Sequence, residues 1–295
     1  MLERIIMSSE SFSFQLGSFE CIIVSDGTLA YSHPTQIFFV NAPEKQLEQV
    51  LRKHNLDPEQ WEQYVSPYSS LVINTGQHRV LVDTGADGLA PTTGKLIPNL
   101  QANGIAPEDI NTVILTHGHP DHIGGTIDRD GEPAFPNARY IMWKGEWDFW
   151  TTEPNLAELK VDKSIKEVII KVARKNLPPI QDQLDLVDHE TEIVPGIRVV
   201  AAPGHTPGQM AVAVASGGKR LLSISDVVIH PIHLDQPDWY TAVDFAPEQA
   251  VATRRQLLHW AAAEKALVHA FHFPFPSLGY VTQKGERWQW QPEKE

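Results

Sequence analysis

The chain has 295 residues, 42% of them hydrophobic, enough for one large core. Its 24 Lys and Arg stand against 37 Asp and Glu, a formal net charge of -13, so the surface repels nucleic acid and anionic lipid and offers no basic groove. One cysteine, Cys21, rules out an internal disulfide, and no apolar run reaches the roughly 18 residues a membrane span needs.

The segment from Met1 to Phe14 mixes charges and serines and has no long apolar stretch before a small-residue cleavage site, so the expected compartment is the cytoplasm. Phe12, Phe14 and Leu16 alternate with polar residues, the pattern of an edge strand that docks on its own sheet or on a partner, and a homodimer is expected. Phe19 to Val24 is strand-like with Cys21 as a small buried side chain, and Ser25-Asp26-Gly27 reads as a turn. Pro43 to His54 carries one apolar stripe at helical spacing. Leu71 to Asn74 and Arg79 to Val82 flank Thr75-Gly76-Gln77 as a hairpin that runs into Asp83-Thr84-Gly85.

A strand, loop and helix rhythm follows: a helix over Thr93 to Ala102, a short turn at Pro107 to Ile110, a buried strand over Thr112 to Leu115 and another over Arg139 to Met142. From Trp143 the character changes to a cluster of aromatics and an amphipathic helix over Val161 to Asn176, stopped by Pro178-Pro179, which we read as an inserted helical cap. Strands return at Arg198 to Ala201, Met210 to Ala215 and Lys219 to Ile224, the last two joined by the hairpin pair Gly217-Gly218. Pro247 to Ala263 is helical, Ala266 to Phe271 is strand-like, and Gly279 to Trp290 forms a closing hairpin.

The chemistry concentrates just after the strand Thr112 to Leu115. His117, His119, Asp121 and His122 lie on a loop broken by Gly118 and Pro120, where a loop leaving a buried strand can aim several side chains into one cavity. Imidazoles with a carboxylate form a borderline-soft donor set that suits zinc better than magnesium or calcium.

The string His117-Gly118-His119-Pro120-Asp121-His122 resembles the H-x-H-x-D-H signature of the metallo-β-lactamase superfamily. His205 in Pro203-Gly204-His205-Thr206-Pro207-Gly208, Asp226, and His272 follow in that family's order, and Asp83-Thr84-Gly85 is similar to its D-T-G element. The resemblance implies an α+β protein, a four-layer αβ/βα sandwich, as one domain over 1–295 with a helical insert at about 143–180. It implies two zinc ions, one held by His117, His119 and His205, the other by Asp121, His122 and His272, with Asp226 between them and Asp83 orienting the ligand loop. The layout is similar to the methyl parathion hydrolase and acyl-homoserine lactonase branches. The lactonases place a tyrosine three residues after the bridging aspartate, where this chain has Ile229.

The expected reaction is attack on a small neutral ester, lactone or phosphotriester by a hydroxide shared between the ions, with Asp226, Asp121 and His230 taking part. Trp143, Trp147, Phe149, Trp150, His230, His233, Trp239 and Phe273 are expected to contact substrate, because aromatic clusters near a polar site commonly mark a pocket. Competing readings are a thioester or β-lactam hydrolase, an enzyme with one iron similar to the persulfide dioxygenases, and a non-catalytic binding protein that keeps a metal. The full ligand set speaks against the last two.

Overall fold

The structure is a computed structural model that describes residues 7, 8 and 10–293. Two sheets face each other. The first holds β1 (Met7–Ser8), β2 (Ser11–Leu16), β3 (Phe19–Ser32), β4 (Gln63–Asn74), β5 (Arg79–Val82), β6 (Thr112–Ile114), β7 (Arg139–Trp143) and β8 (Leu184–Val187), in that order. The second holds β9 (Thr191–Val194), β10 (Ile197–Ala201), β11 (Met210–Ser216), β12 (Lys219–Ser223), β13 (Leu267–His269), β14 (Leu278–Lys284) and β15 (Arg287–Pro292), ordered from β15 to β9. Pairing is parallel along β5, β6, β7 and β8 and between β12 and β13, and antiparallel elsewhere. The helices are α1 (Pro34–Phe38), α2 (Glu44–Lys53), α3 (Leu96–Ala102), α4 (Pro120–Ile123), α5 (Lys144–Thr151), α6 (Lys163–Asn176), α7 (Ile232–Asp235) and α8 (Pro247–Glu264).

Period-two alternation sends one set of side chains from each strand between the sheets and the other set outward. Ile23, Leu71, Ile73, Val80 and Val82 meet Val199, Met210 and Val212 in the middle layer. Val24, Val72, Leu81 and Val113 point the other way, against Leu96 and Leu100 of α3 and Ile169 and Ala173 of α6. On the far side, Val200, Leu222 and Val268 pack under Leu257, Leu258 and Ala261 of α8. Three stacked apolar cores therefore separate four layers, the α+β sandwich that the motifs imply.

The structure differs from expectation at definite places. Ser25-Asp26-Gly27 is no turn: β3 runs on to Ser32, and a bulge there absorbs the extra residue while β4 pairs on both sides of it. Gly27 takes φ 110° with Thr92 pressed against its Cα, which leaves no room for a side chain. The bulged Asp26 is buried and accepts hydrogen bonds from Ala86 N (2.8 Å) and Leu96 N (3.0 Å), tying α3 to the strand. Burial raises its carboxyl to about 6.

The stretch at 143–180 is continuous with the outer helical layer, since Trp150, Leu156, Leu159, Leu177 and Ile180 share the apolar core of α3. β2 docks on its own sheet, with Phe12 and Leu16 buried between the two sheets and Phe14 partly buried. Cys21 is buried and its thiol is pushed up to about 12, an inert core residue. Among the described residues no helix is long and apolar enough to cross a membrane.

Candidate metal centre

The C-terminal ends of β5, β6, β10, β12 and β13 open at one edge of the sandwich, and each carries a polar residue into the same space. Asp83 follows β5, His117 follows β6, His205 follows β10, Asp226 follows β12 and His272 follows β13. The chain leaves a buried strand at each point, so the backbone there is fixed while the next residues are free of the ladder. α4 begins at Pro120, whose fixed φ suits a first helical position, and turns Asp121 and His122 back toward the same point.

Seven side chains meet there in two groups. His117, His119, His205 and Asp226 form one, and Asp121, His122 and His272 the other, each with its donor atoms within 4.8 Å of one another. His119 Nδ1 lies 3.2 Å from His117 Nε2 and 2.9 Å from His205 Nε2. Asp226 stands between the groups: its Oδ2 is 3.3 Å from His205 Nε2, and its Oδ1 is 3.1 Å from His122 Nε2 and 3.2 Å from His272 Nε2. Asp121 Oδ2 completes the second group, 3.5 Å from His272 Nε2 and 3.7 Å from His122 Nε2.

Most of the imidazoles are oriented from behind. His122 Nδ1 meets Asp83 Oδ2 at 2.8 Å, His205 Nδ1 meets Asp244 Oδ1 at 2.8 Å, His272 Nδ1 meets Ser66 Oγ at 3.1 Å, and His117 Nδ1 meets Thr116 Oγ1 at 3.1 Å. A partner on the outer nitrogen fixes the ring and leaves the inner nitrogen as a lone pair, the arrangement of metal-ligating histidine. Asp83 also accepts from Thr116 N and Thr116 Oγ1, and holds a left-handed φ of 61° that a non-glycine residue keeps only when its surroundings enforce it.

Inside the ring of ligands, His122 Nε2 and Asp226 Oδ1 are buried and make no hydrogen bond. Orphaned polar atoms cost roughly 1–3 kcal/mol each unless something takes them, and a cation takes both. Five imidazoles with two carboxylates fit zinc or a similar transition metal.

The imidazoles do not share one charge state: burial lowers His117 and His119, while burial is outweighed at His122 and His205 by neighbouring carboxylates, which raise them. Burial, reinforced by neighbouring imidazoles, holds His117 and His119 well below the usual histidine range, so both are neutral lone-pair donors. Burial also works against charge on His122, but the carboxylates of Asp226, Asp83 and Asp121 overcome it and hold that pKa well above the ordinary value. Burial opposes charge on Asp226 too, and His272 and His122 outweigh it, so its carboxyl lies well below the usual range.

A second buried carboxylate clamps the ligand loops without touching the ligands. Glu146, in the first turn of α5, accepts from Gly118 N (2.9 Å) and Trp150 Nε1 (2.5 Å) on Oε1 and from Gly208 N (2.8 Å) on Oε2. One side chain thereby joins the loop of His117 and His119 to the loop of His205. Neither glycine could carry a side chain, for a Cβ on Gly118 would meet the Trp150 indole at 2.3 Å and one on Gly208 would meet Glu146 N at 2.5 Å.

Above this floor lies a cavity of about 690 Å³. His119, Asp121, His205, Asp226 and His272 form its base. Its walls are Leu29, Tyr31, Ile37, Phe38 and Tyr68 on one side and Val161, Ile165, Val168 and Ile169 on the other.

The aromatics singled out in the sequence do not line it. Trp150 is fully buried, its indole spent on Glu146 and its ring against His119. Trp147 and Phe149 pack in the outer helical core and Trp143 between the sheets. Trp239 packs at a tilt against Phe39, and Phe273 meets Trp290 edge-on. His230 is sealed among Phe38, Phe39, Trp61 and Tyr64, burial pushing it down to about 3, and His233 Nε2 meets Phe38 O at 2.8 Å. These side chains support the site from behind because their rings are large enough to be consumed by the core that holds it.

Sequence reasoning missed Asp244, Ser66, Glu146, Tyr31 and Tyr68. None falls at a fixed spacing from a ligand. Only the pair Gly118 and Gly208 hints that something must approach both loops closely.

The model of the Metallo-beta-lactamase superfamily matches residues 64–267. This chain belongs to the metallo-β-lactamase superfamily. Within it, the chain is 25% identical over 228 residues to the N-acyl homoserine lactonase AiiA of Bacillus thuringiensis subsp. kurstaki, covering 70% of this chain and 81% of that one. The solved structure of AidC, a dizinc quorum-quenching lactonase in complex with a product, superposes with a TM-score of 0.90 at 29% identity over 97% of this chain and 98% of that one. A hydrolase of the β-lactamase superfamily, AbOPH, superposes with a TM-score of 0.86 at 26% identity over 98% and 99%. The chain is a metal-dependent hydrolase of this superfamily, and the edge-of-sandwich cluster is where its fold places the donors.

Proposed function

We propose that this protein holds two zinc ions and hydrolyses neutral esters, above all lactones that carry an apolar chain. The observation that carries the reading is the cavity itself: donors for two ions at its base, and a wall of aliphatic side chains running out from them. His117, His119 and His205 would hold one ion, Asp121, His122 and His272 the other, and Asp226 reaches both groups. Bound there, such a pair supplies an activated water and a Lewis acid for the attacked oxygen.

The chain's own residues do the rest. Asp226, pinned between four imidazoles, can hold the attacking water and receive its proton. Asp83, Asp244 and Ser66 keep the ligand rings from rotating as charge moves. The walls exclude water and seat the chain of the substrate, and no arginine is among their residues, so a free carboxylate or phosphate has no bidentate partner there. Likeness to AiiA and AidC, both lactonases by name, supports the lactone over other esters.

Metal analysis of the purified protein joined to a hydrolysis panel tests this: a γ-lactone with a long acylamino chain, an aryl ester, a dialkyl aryl phosphate and a β-lactam. Two zinc per chain with fastest turnover of the lactone is expected. One iron per chain, or faster turnover of the β-lactam or the phosphate, sinks the reading.

A further inference from the structure

Two phenols stand where the sequence offered none. Ile229 occupies the place three residues after Asp226, yet Tyr31 and Tyr68, on β3 and β4 of the opposite sheet, both line the cavity beside Asp121, Asp226 and His272. Their hydroxyl oxygens are 2.7 Å apart. The Tyr68 ring lies edge-on to the His272 imidazole with centroids 5.2 Å apart, so that phenol is seated directly against a ligand. Tyr31 is braced by an edge contact to Phe38 at 5.3 Å.

Tyr68 is 1% exposed, and Tyr31 is its one hydrogen-bonding partner among the described residues. A buried hydroxyl must spend its proton inside the protein, so Tyr68 donates to Tyr31. The half-buried Tyr31 then has its own proton left over, facing the cavity. Hydrogen bonds in series polarise one another, and the donor at the end of such a chain is the stronger for it.

We infer that Tyr31 donates a hydrogen bond to the substrate carbonyl oxygen as it gains negative charge, and that Tyr68 positions and polarises it. This rests on the hydrolytic reading above. In the reaction a water oxygen bonds to the carbonyl carbon, the ring carbon–oxygen bond breaks, and the leaving alkoxide departs as a hydroxyl with a proton from that water. Tyr31 lends a hydrogen bond throughout and transfers nothing, ending as it began. Burial and the carboxylates of Asp121 and Asp226 both keep the Tyr31 phenol protonated, the form the role requires. A fixed donor aimed at developing charge stabilises the transition state more than the bound ester, so the effect belongs in kcat.

Tyr31→Phe and Tyr68→Phe in the full chain, assayed with the acylamino lactone alongside zinc content and thermal unfolding, test the inference. Tyr31→Phe should lower kcat by about 10- to 100-fold with KM held within about 3-fold, and Tyr68→Phe should lower kcat less, both with wild-type zinc content and Tm. An undiminished kcat in Tyr31→Phe overturns the inference, as does a loss accompanied by lower zinc content or Tm, which would mark a structural role. A wild type inactive on every ester and lactone overturns the hydrolytic reading instead, whatever the variants do.

Discussion

The base of the cavity and its walls are built by different means. At the base, each ligand loop leaves a strand end and is held again from behind, by Asp83, Asp244, Ser66 or the Glu146 clamp. The walls come from β3, β4, α1, α6 and the turn before it, with Ile165 and Val168 partly open to water. The base is overdetermined and the walls are not, which is what a fold needs if one chemistry is to serve different substrates.

The largest break in that contrast is at Asp226. Asp226→Asn keeps the shape and removes the charge shared by both donor groups, and kcat should fall on the order of 1000-fold, read by steady-state lactone hydrolysis. Retained activity would mean that Asp226 is not central to the base. Glu146→Gln comes next. The amide keeps one acceptor and turns a donor toward Gly118 N or Gly208 N, leaving a buried clash of donors, so zinc affinity should drop about 10- to 100-fold although no ligand is touched. Chelator competition measures it, and excess zinc should restore turnover. Unchanged affinity would show that the two loops hold themselves.

How much of this the sequence disclosed follows the same division. The four side chains at 117–122 were readable because six residues of chain hold them, whereas His205, Asp226 and His272 were reached only through the resemblance to the family's motif order; the structure brings all seven together. Apolar alternation made individual strands readable and Gly217-Gly218, both with positive φ, marked the hairpin between β11 and β12, while the sandwich itself came from the resemblance. The bulge at Asp26 was not, since a turn and a bulge use the same residues and only the pairing partner decides between them. β8, β9 and α1 were missed because they are short and half-exposed. The walls were misjudged for a physical reason: Trp150, Trp239 and Phe273 carry the same composition signal whether they face substrate or core, and here burial behind the site won. Tyr31 and Tyr68 reach the cavity through a strand pairing although they lie 37 positions apart in the chain, which no local pattern records.

One buried histidine lies under each region, and both make the fold acid-sensitive. His269 of β13, beneath the base, bonds Ser223 and Ser69, and His230 lies behind the wall. Burial lowers each from 6.5 to about 3. Between those values the unfolded chain binds more protons than the folded one, so the contribution is full above about 6.5 and is lost as pH falls toward 3. Each should cost about 2 kcal/mol on going from pH 7 to pH 5. Urea unfolding at the two pH values reads this, and His269→Gln should flatten the dependence by about that amount. A slope unaltered by the substitution would mean that the ring is not buried as a neutral group.

The smallest effect should fall on the wall, and it is the one that separates wall from base. Val168 is 42% exposed and lies on the α6 wall of the cavity. Val168→Asp places a carboxylate where an apolar chain would lie, removing one or two methylene contacts worth about 0.8 kcal/mol each. KM for a lactone with a long chain should rise about 5- to 10-fold, while kcat and the KM for a short-chain lactone stay near wild type. A loss of kcat for both lactones would show that α6 shapes the base after all, and the two regions would then be one. An equal rise in KM for both would place the chain elsewhere in the cavity, toward Leu29 and Leu89, where the same substitution logic could follow it.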